Sequence, residues 1–88
     1  MSMVVKLRLY SRTGCHLCDE MLKELETLRR TTADIFTVEV LDIDREPEMQ
    51  RRYVLRIPVL TTEAGGEVVC ETRFHQQSVL DYLSSVTR

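Results

Sequence analysis

Three cysteines, Cys15, Cys18 and Cys70, carry most of the chemistry this chain can do. Two of them form Cys15-His16-Leu17-Cys18, a C-x-x-C. On a helix start, that spacing puts the second sulfur one turn inward of the first, close enough to form a disulfide. The same spacing suits two metal ligands, and it also arises when two cysteines simply face a core. Position decides among these readings. The pair falls where a strand pattern ends and a helical pattern begins, inside a strand-helix-strand order, which favours redox work. A helix N-terminus offers unpaired N–H groups and a partial positive charge, and both stabilise a thiolate. A free thiol with a pKa of about 8.5 is only about 3% ionised at neutral pH, whereas one lowered to about 6 is about 90% thiolate. Arg12 and a protonated His16 push the same way. Cys15 is therefore expected to be the exposed nucleophile and Cys18 the resolving thiol. Cys15 attacks a substrate disulfide, and Cys18 then displaces the reduced product from the mixed disulfide.

The elements that must hold this pair can be read from periodicity. Met3 to Tyr10 alternates Val5, Leu7 and Leu9 with Lys6, Arg8 and Tyr10, a strand. Ser11 to Gly14 is turn chemistry. From Cys15 to Arg30 the period becomes helical, with Leu17, Met21, Leu25 and Leu28 on one face. Asp19 with Lys23 and Glu26 with Arg30 stand at favourable spacings. Phe36 to Ile43 reads as a second strand with Phe36, Val38 and Val40 on one face. Leu41 and Ile43 point to an inner strand covered on both faces near its end. Asp42 or Asp44 is placed to cap a short helix that has Pro47 in its first turn and continues through Met49 and Tyr53. Ile57 to Thr62 and Val68 to Thr72 are strands joined by the hairpin Glu63-Ala64-Gly65-Gly66-Glu67. Val79, Leu80, Leu83 and Val86 mark a last helix. The order is βαβ-α-ββ-α, an α/β domain with one four-stranded mixed sheet flanked by helices, expected to span residues 1–88 as a single domain.

Tyr10-Ser11-Arg12-Thr13-Gly14-Cys15-His16-Leu17-Cys18 resembles the Tyr-Ser-Lys-x-x-Cys-x-x-Cys opening of glutaredoxins. Arg56-Ile57-Pro58-Val59-Leu60 resembles their second signature, a proline opening the third strand. Asp42-Ile43-Asp44 followed by Pro47-Glu48 is similar to small bacterial glutaredoxin-like proteins. The resemblance implies a thioredoxin-like fold, thiol-disulfide oxidoreduction, and a cis peptide at Ile57-Pro58 beside the cysteines. It also implies that the backbone of Ile57, before Pro58, pairs with substrate; Arg12 and Arg56 are expected beside it as further substrate contacts. The sequence departs from the family pattern at several points, among them Arg56 in place of the usual Thr and the dipeptide His16-Leu17. The glutathione-binding Gly-Gly-acidic segment is replaced by Cys70-Glu71-Thr72-Arg73-Phe74-His75, and Gly65-Gly66 lies earlier, in the hairpin. Arg12 stands where the family carries Lys. No resident cofactor is expected. Glutathione is one candidate reductant and a reductase the other.

Composition limits the remaining classes. Within 88 residues, 43% are apolar and 30% charged, ordinary for a globular chain. A net charge of −2 marks no nucleic-acid binder, and the apolar runs are too short to cross a membrane. The opening MSMVVKLRLYS lacks the apolar core of a signal peptide, and an odd, low cysteine count does not describe a secreted disulfide scaffold. A cytoplasmic monomer is expected. Its partners are a disulfide-bearing protein or a small-thiol substrate, together with a thiol reductant system. Cys70 reads as a small core residue and His75 as the end of a strand or a helix cap. Arg45, Arg51, Arg52 and Arg56, with Glu46 and Glu48 among them, read as a solvated mixed-charge surface. Two rival readings stay open. One is a metal or iron–sulfur protein using the same thiols, with Cys70 and His75 as further ligands. The other is a binding module that keeps the fold without the chemistry.

Overall fold

The computed structural model describes residues 4–87. The elements are β1 (Val5–Ser11), α1 (His16–Thr31), β2 (Phe36–Asp42), a 3-10 turn (Ile43–Arg45), α2 (Pro47–Tyr53), β3 (Val59–Thr62), β4 (Val68–Glu71) and α3 (Gln76–Val86). The strands form one sheet in the order β2-β1-β3-β4. β1 runs parallel to β2 and antiparallel to β3, and β3 is antiparallel to β4. This is the expected mixed sheet in the expected element order. Met3, placed in the first strand by its pattern, lies outside the described residues.

Alternation along the strands divides the core in two. Val5, Leu7 and Leu9 of β1, Phe36 of β2, Leu60 of β3 and Cys70 of β4 pack against Met21, Leu25 and Leu28 of α1 and Val79 and Leu83 of α3. The opposite face buries Val59 with Ile43 and Tyr53, and Tyr10, Met49, Val54 and Ile57 pack around them. The helix on that face, α2, is only seven residues long, so it covers the Tyr10 end of β1 and not the other. Lys6 is accordingly exposed there, and Arg8 pairs with its cross-strand neighbour Glu39 at 3.5 Å.

Several expectations are corrected. β2 is an edge strand, because the β3–β4 hairpin pairs on the other side of β1 and leaves the outer flank of β2 open. Burial fades along its inward face, from fully buried Phe36 through half-buried Val38 to Val40, which is 47% exposed. Ile43 has left the strand. Asp42 accepts the Asp44 N–H at 2.9 Å and turns the chain, which drops Ile43 into the second cluster. Asp44 does not cap α2; the N-cap is Glu46, with no side-chain bond. Glu26 pairs with Arg29 at 3.0 Å instead of Arg30, and Arg29 also reaches Asp34 at 3.4 Å. β3 starts at Val59, two residues later than expected, just after the Ile57–Pro58 peptide, which is cis as the resemblance implied. β4 stops at Glu71 because Thr72 takes a left-handed conformation, φ 68°.

Candidate active site

At the C-terminal end of β1 the chain turns from Arg12 to Cys15, closed by the Cys15 N–H donating to the Arg12 carbonyl at 3.1 Å. Gly14 has φ 83°, a left-handed conformation that favours glycine at this point of the turn. Cys15 is the N-cap of α1, with extended backbone angles, and its sulfur accepts the Cys18 N–H at 3.1 Å. Sulfur here does the work that Ser or Asp does in an ordinary cap. In the reduced protein the same N–H and the helix dipole both favour a negative sulfur. Cys15 and Cys18 are joined as a disulfide, with their Cα atoms 5.2 Å apart. The two sulfur-bearing residues differ in access: Cys15 is half-buried, while Cys18 is 2% exposed.

Around this pair the expected site residues take distinct places. His16 stands 84% exposed and pairs with Glu20 at 3.0 Å, one turn along the helix. Arg12 is held by Asp44: Nε lies 3.1 and 3.0 Å from the two carboxylate oxygens and Nη2 lies 2.7 Å from Oδ1. Gln50 of α2 donates to the same Oδ1 at 2.8 Å. These bonds hold the Asp44 carboxyl below the usual carboxylate range, and Asp44 in turn holds the Arg12 guanidinium above its ordinary value.

Tyr10 pairs with Val59, so Pro58 lies level with Ser11, where the cysteine turn begins. Pro58 is buried and Ile57 half-buried. The Ile57 N–H donates to the Tyr53 carbonyl at 3.0 Å, so within the expected substrate-pairing residue that donor is already engaged. Thr72, just past the end of β4, fastens the cis-proline segment: its N–H donates to the Pro58 carbonyl at 2.7 Å and its hydroxyl to the Arg56 carbonyl at 3.3 Å. The Arg56 side chain makes a two-point pair with Glu71, at 2.9 and 3.1 Å, and sits 5.4 Å over the Tyr53 ring. That pairing lowers the Glu71 pKa and raises that of Arg56. Tyr53 stacks on Tyr10 with ring centroids 4.3 Å apart, which joins α2 to the end of β1. A recess of about 190 Å³ opens beside the helix start, between Leu17 and Glu20 of α1 and the segment Thr72–Phe74.

The remaining ligand candidates do not join the site. Cys70 lies on β4 opposite Leu60, buried and free, and burial pushes its thiol pKa up against a smaller opposing effect of the His75 backbone. His75 caps α3, its Nδ1 accepting the Ser78 N–H at 3.3 Å. Among the described residues, no three His, Cys, Asp or Glu side chains converge as a metal site. Sequence reasoning missed Glu71 and Thr72 as supports of the proline segment, and it gave Asp44 a capping role. Bidentate partners 32 and 15 residues apart leave no periodic signal.

Residues 6–84 match the family described as glutaredoxin-like domain (DUF836). No curated protein matches the chain. Among solved structures, protein Ne2328 from Nitrosomonas europaea is 32% identical, covering 93% of this chain and 94% of its own, with a TM-score of 0.81. Protein XcR50 from X. campestris is 28% identical over 91% of this chain and 97% of its own, TM-score 0.71. A thioredoxin from the thermophile Thermosipho africanus shares 16% identity over 94% of this chain and 99% of its own, TM-score 0.61, a likeness of fold alone. A C-x-x-C pair at the first helix start of this fold supports a thiol redox role. The chain belongs to the glutaredoxin-like domain family and has the thioredoxin fold.

Proposed function

We propose that this protein is a thiol-disulfide oxidoreductase of the cytoplasm, with Cys15 as nucleophile and Cys18 as resolving thiol. The observation that carries the reading is the difference in access between the two sulfurs, one at a helix cap and one 2% exposed beneath it. An accessible sulfur can meet a substrate disulfide, and a neighbour within the same turn can finish the exchange without a second thiol from solution. In the reduced protein, the Cys15 thiolate attacks one sulfur of the substrate disulfide. The substrate S–S bond breaks, and its other sulfur leaves as a thiolate and takes a proton. Cys18 loses its proton and attacks the Cys15 sulfur of the mixed disulfide. The second substrate sulfur leaves, and the Cys15–Cys18 disulfide holds the oxidising equivalent. Two electrons have passed to the substrate. A small thiol such as glutathione, or a reductase, returns them.

The cis-proline segment, level with the start of the cysteine turn, and the recess beside Leu17, further along the same helix, are the surfaces offered to substrate. Arg12 and Arg56 contribute to that surface as members of ion pairs rather than as lone cations. The protein acts as a monomer on a disulfide-bearing protein or a small-thiol disulfide.

The test uses a disulfide-bearing test protein, with a thiol reductant to follow turnover and with the pre-reduced protein alone for trapping. Cys15→Ser is expected to abolish reduction, by at least a hundredfold. Cys18→Ser is expected to accumulate a mixed disulfide through Cys15, located by peptide mass. A Cys15→Ser protein that still reduces disulfides at the natural rate overturns the assignment.

A further inference from the structure

We infer that Asp44 is a positioning residue for this chemistry: by holding the Arg12 guanidinium it governs how much positive charge Cys15 experiences. The inference rests on Cys15 being the attacking sulfur. Arg12 is tied to the thiol through the backbone, because its carbonyl accepts the Cys15 N–H at 3.1 Å. Its side chain is committed elsewhere, to both oxygens of Asp44 at 2.7 to 3.1 Å. Asp44 is itself held from two sides, by Gln50 of α2 at 2.8 Å and through its own N–H on Asp42 at 2.9 Å. A chain of hydrogen bonds therefore runs from α2 through Asp44 and Arg12 to the cysteine turn.

A cation held bidentate by a carboxylate acts at a distance as a dipole, and its field falls off faster than that of a lone charge. The support for the thiolate expected of Arg12 is thus set by Asp44. Other charged groups stand around the turn, and Arg73 lines the recess beside the helix start. On α1, His16 and Glu20 pair with each other and Asp19 stands exposed in the first turn. From the β3 and β4 side, Arg56 and Glu71 pair with each other. Asp42 adds one further anion beside Asp44. Asp44 is the group whose loss would leave the Arg12 guanidinium facing only the weaker field of Asp42.

Two variants give the inference its signature. Asp44→Asn keeps the shape of the side chain and deletes its charge, leaving Arg12 less opposed and the thiolate favoured. Arg12→Gln leaves Asp44 unopposed and the thiolate disfavoured. A structural role alone would disturb the turn in the same direction in both. The experiment follows iodoacetamide alkylation of the fully reduced protein against pH, with the modified residue located by peptide mass. In Asp44→Asn, the pH of half-maximal alkylation at Cys15 is expected to fall. The rate below that pH should rise about two- to threefold, the order expected of one unit charge in water-like surroundings. Arg12→Gln should slow it by a similar factor, and the double variant should return close to the natural profile. Single variants that both move the same way, or do not move at all, overturn the role of Asp44 while leaving Cys15 as nucleophile. Alkylation at Cys18 before Cys15 overturns the exchange reading itself, and this inference with it.

Discussion

Cys15 and Cys70 are the same residue in opposite environments. Cys15 stands half-buried at a helix cap with an N–H aimed at its sulfur, whereas Cys70 is 8% exposed within the larger core cluster, its thiol pushed toward the neutral form by burial. Thiol reactivity follows thiolate fraction and access, so the two should differ sharply. In the oxidised protein, a neutral-pH alkylating reagent is expected to leave Cys70 unmodified under native conditions and to add one group in denaturant, counted by intact mass. Rapid native labelling of Cys70 would contradict its placement in the core. At this scale the sequence was partly legible. The C-x-x-C, its helix-start position and the core role of Cys70 follow from residue types and spacing. The partners of Arg12 and Arg56 do not, since neither Asp44 nor Glu71 stands at a spacing that any single element would produce. Thr72 was invisible for a different reason. A β-branched residue at φ 68° runs against its own preference and is fastened there by bonds to Pro58 and Arg56 that arise only once β3 and β4 pair.

The elements themselves were legible wherever one period dominated. β1 and α1 each present a single apolar stripe, and both appear within a residue or two of the expected bounds. Placing β2 in the sheet was not possible from its own residues. An apolar run describes an inner strand or a strand end covered by a neighbouring loop, and only the insertion of β3 beside β1 decides between them. The end of α1 yields a further prediction. After the C-cap Thr32, both Ala33 and Asp34 take left-handed angles, φ 55° and 56°, and the Asp34 N–H returns to the Arg29 carbonyl at 2.9 Å. Asp tolerates this conformation through its short polar side chain, while Ala gains nothing from it. A non-glycine residue there costs about 1–2 kcal/mol, and glycine gives back about 0.4–1 kcal/mol through the freer unfolded chain. Ala33→Gly should therefore stabilise the protein by about 0.5 kcal/mol, seen as a higher urea midpoint at unchanged slope. A lower midpoint would mean that the Ala33 methyl is worth more in place than its backbone strain.

Across the whole molecule, two exposed ion pairs join segments that the sheet alone leaves separate. Arg12–Asp44 fastens the cysteine turn to the 3-10 segment and, through Gln50, to α2, while Arg56–Glu71 fastens the cis-proline segment to β4. Both carboxylates have folded-state pKa values below their ordinary ones, chiefly through the hydrogen bonds from their arginines. The unfolded chain regains its protons near pH 4, where ordinary Asp and Glu titrate. Below that pH the unfolded state binds more protons than the native one, so stability falls as acid is added, until the native carboxylates are protonated as well. The contribution of these pairs is therefore fully present above about pH 5 and is lost progressively below about pH 4. Solvent and salt screen such exposed pairs, so the effect should shrink in high salt. Urea midpoints measured from pH 6 to pH 2 should fall in the natural protein. In the Asp44→Asn, Glu71→Gln double variant they should fall less steeply across the same window, with the two curves converging at the acid end. Parallel curves would show that neither pair carries the acid sensitivity, and that repulsion among the twelve Lys and Arg side chains, unopposed once carboxylates are neutral, accounts for it.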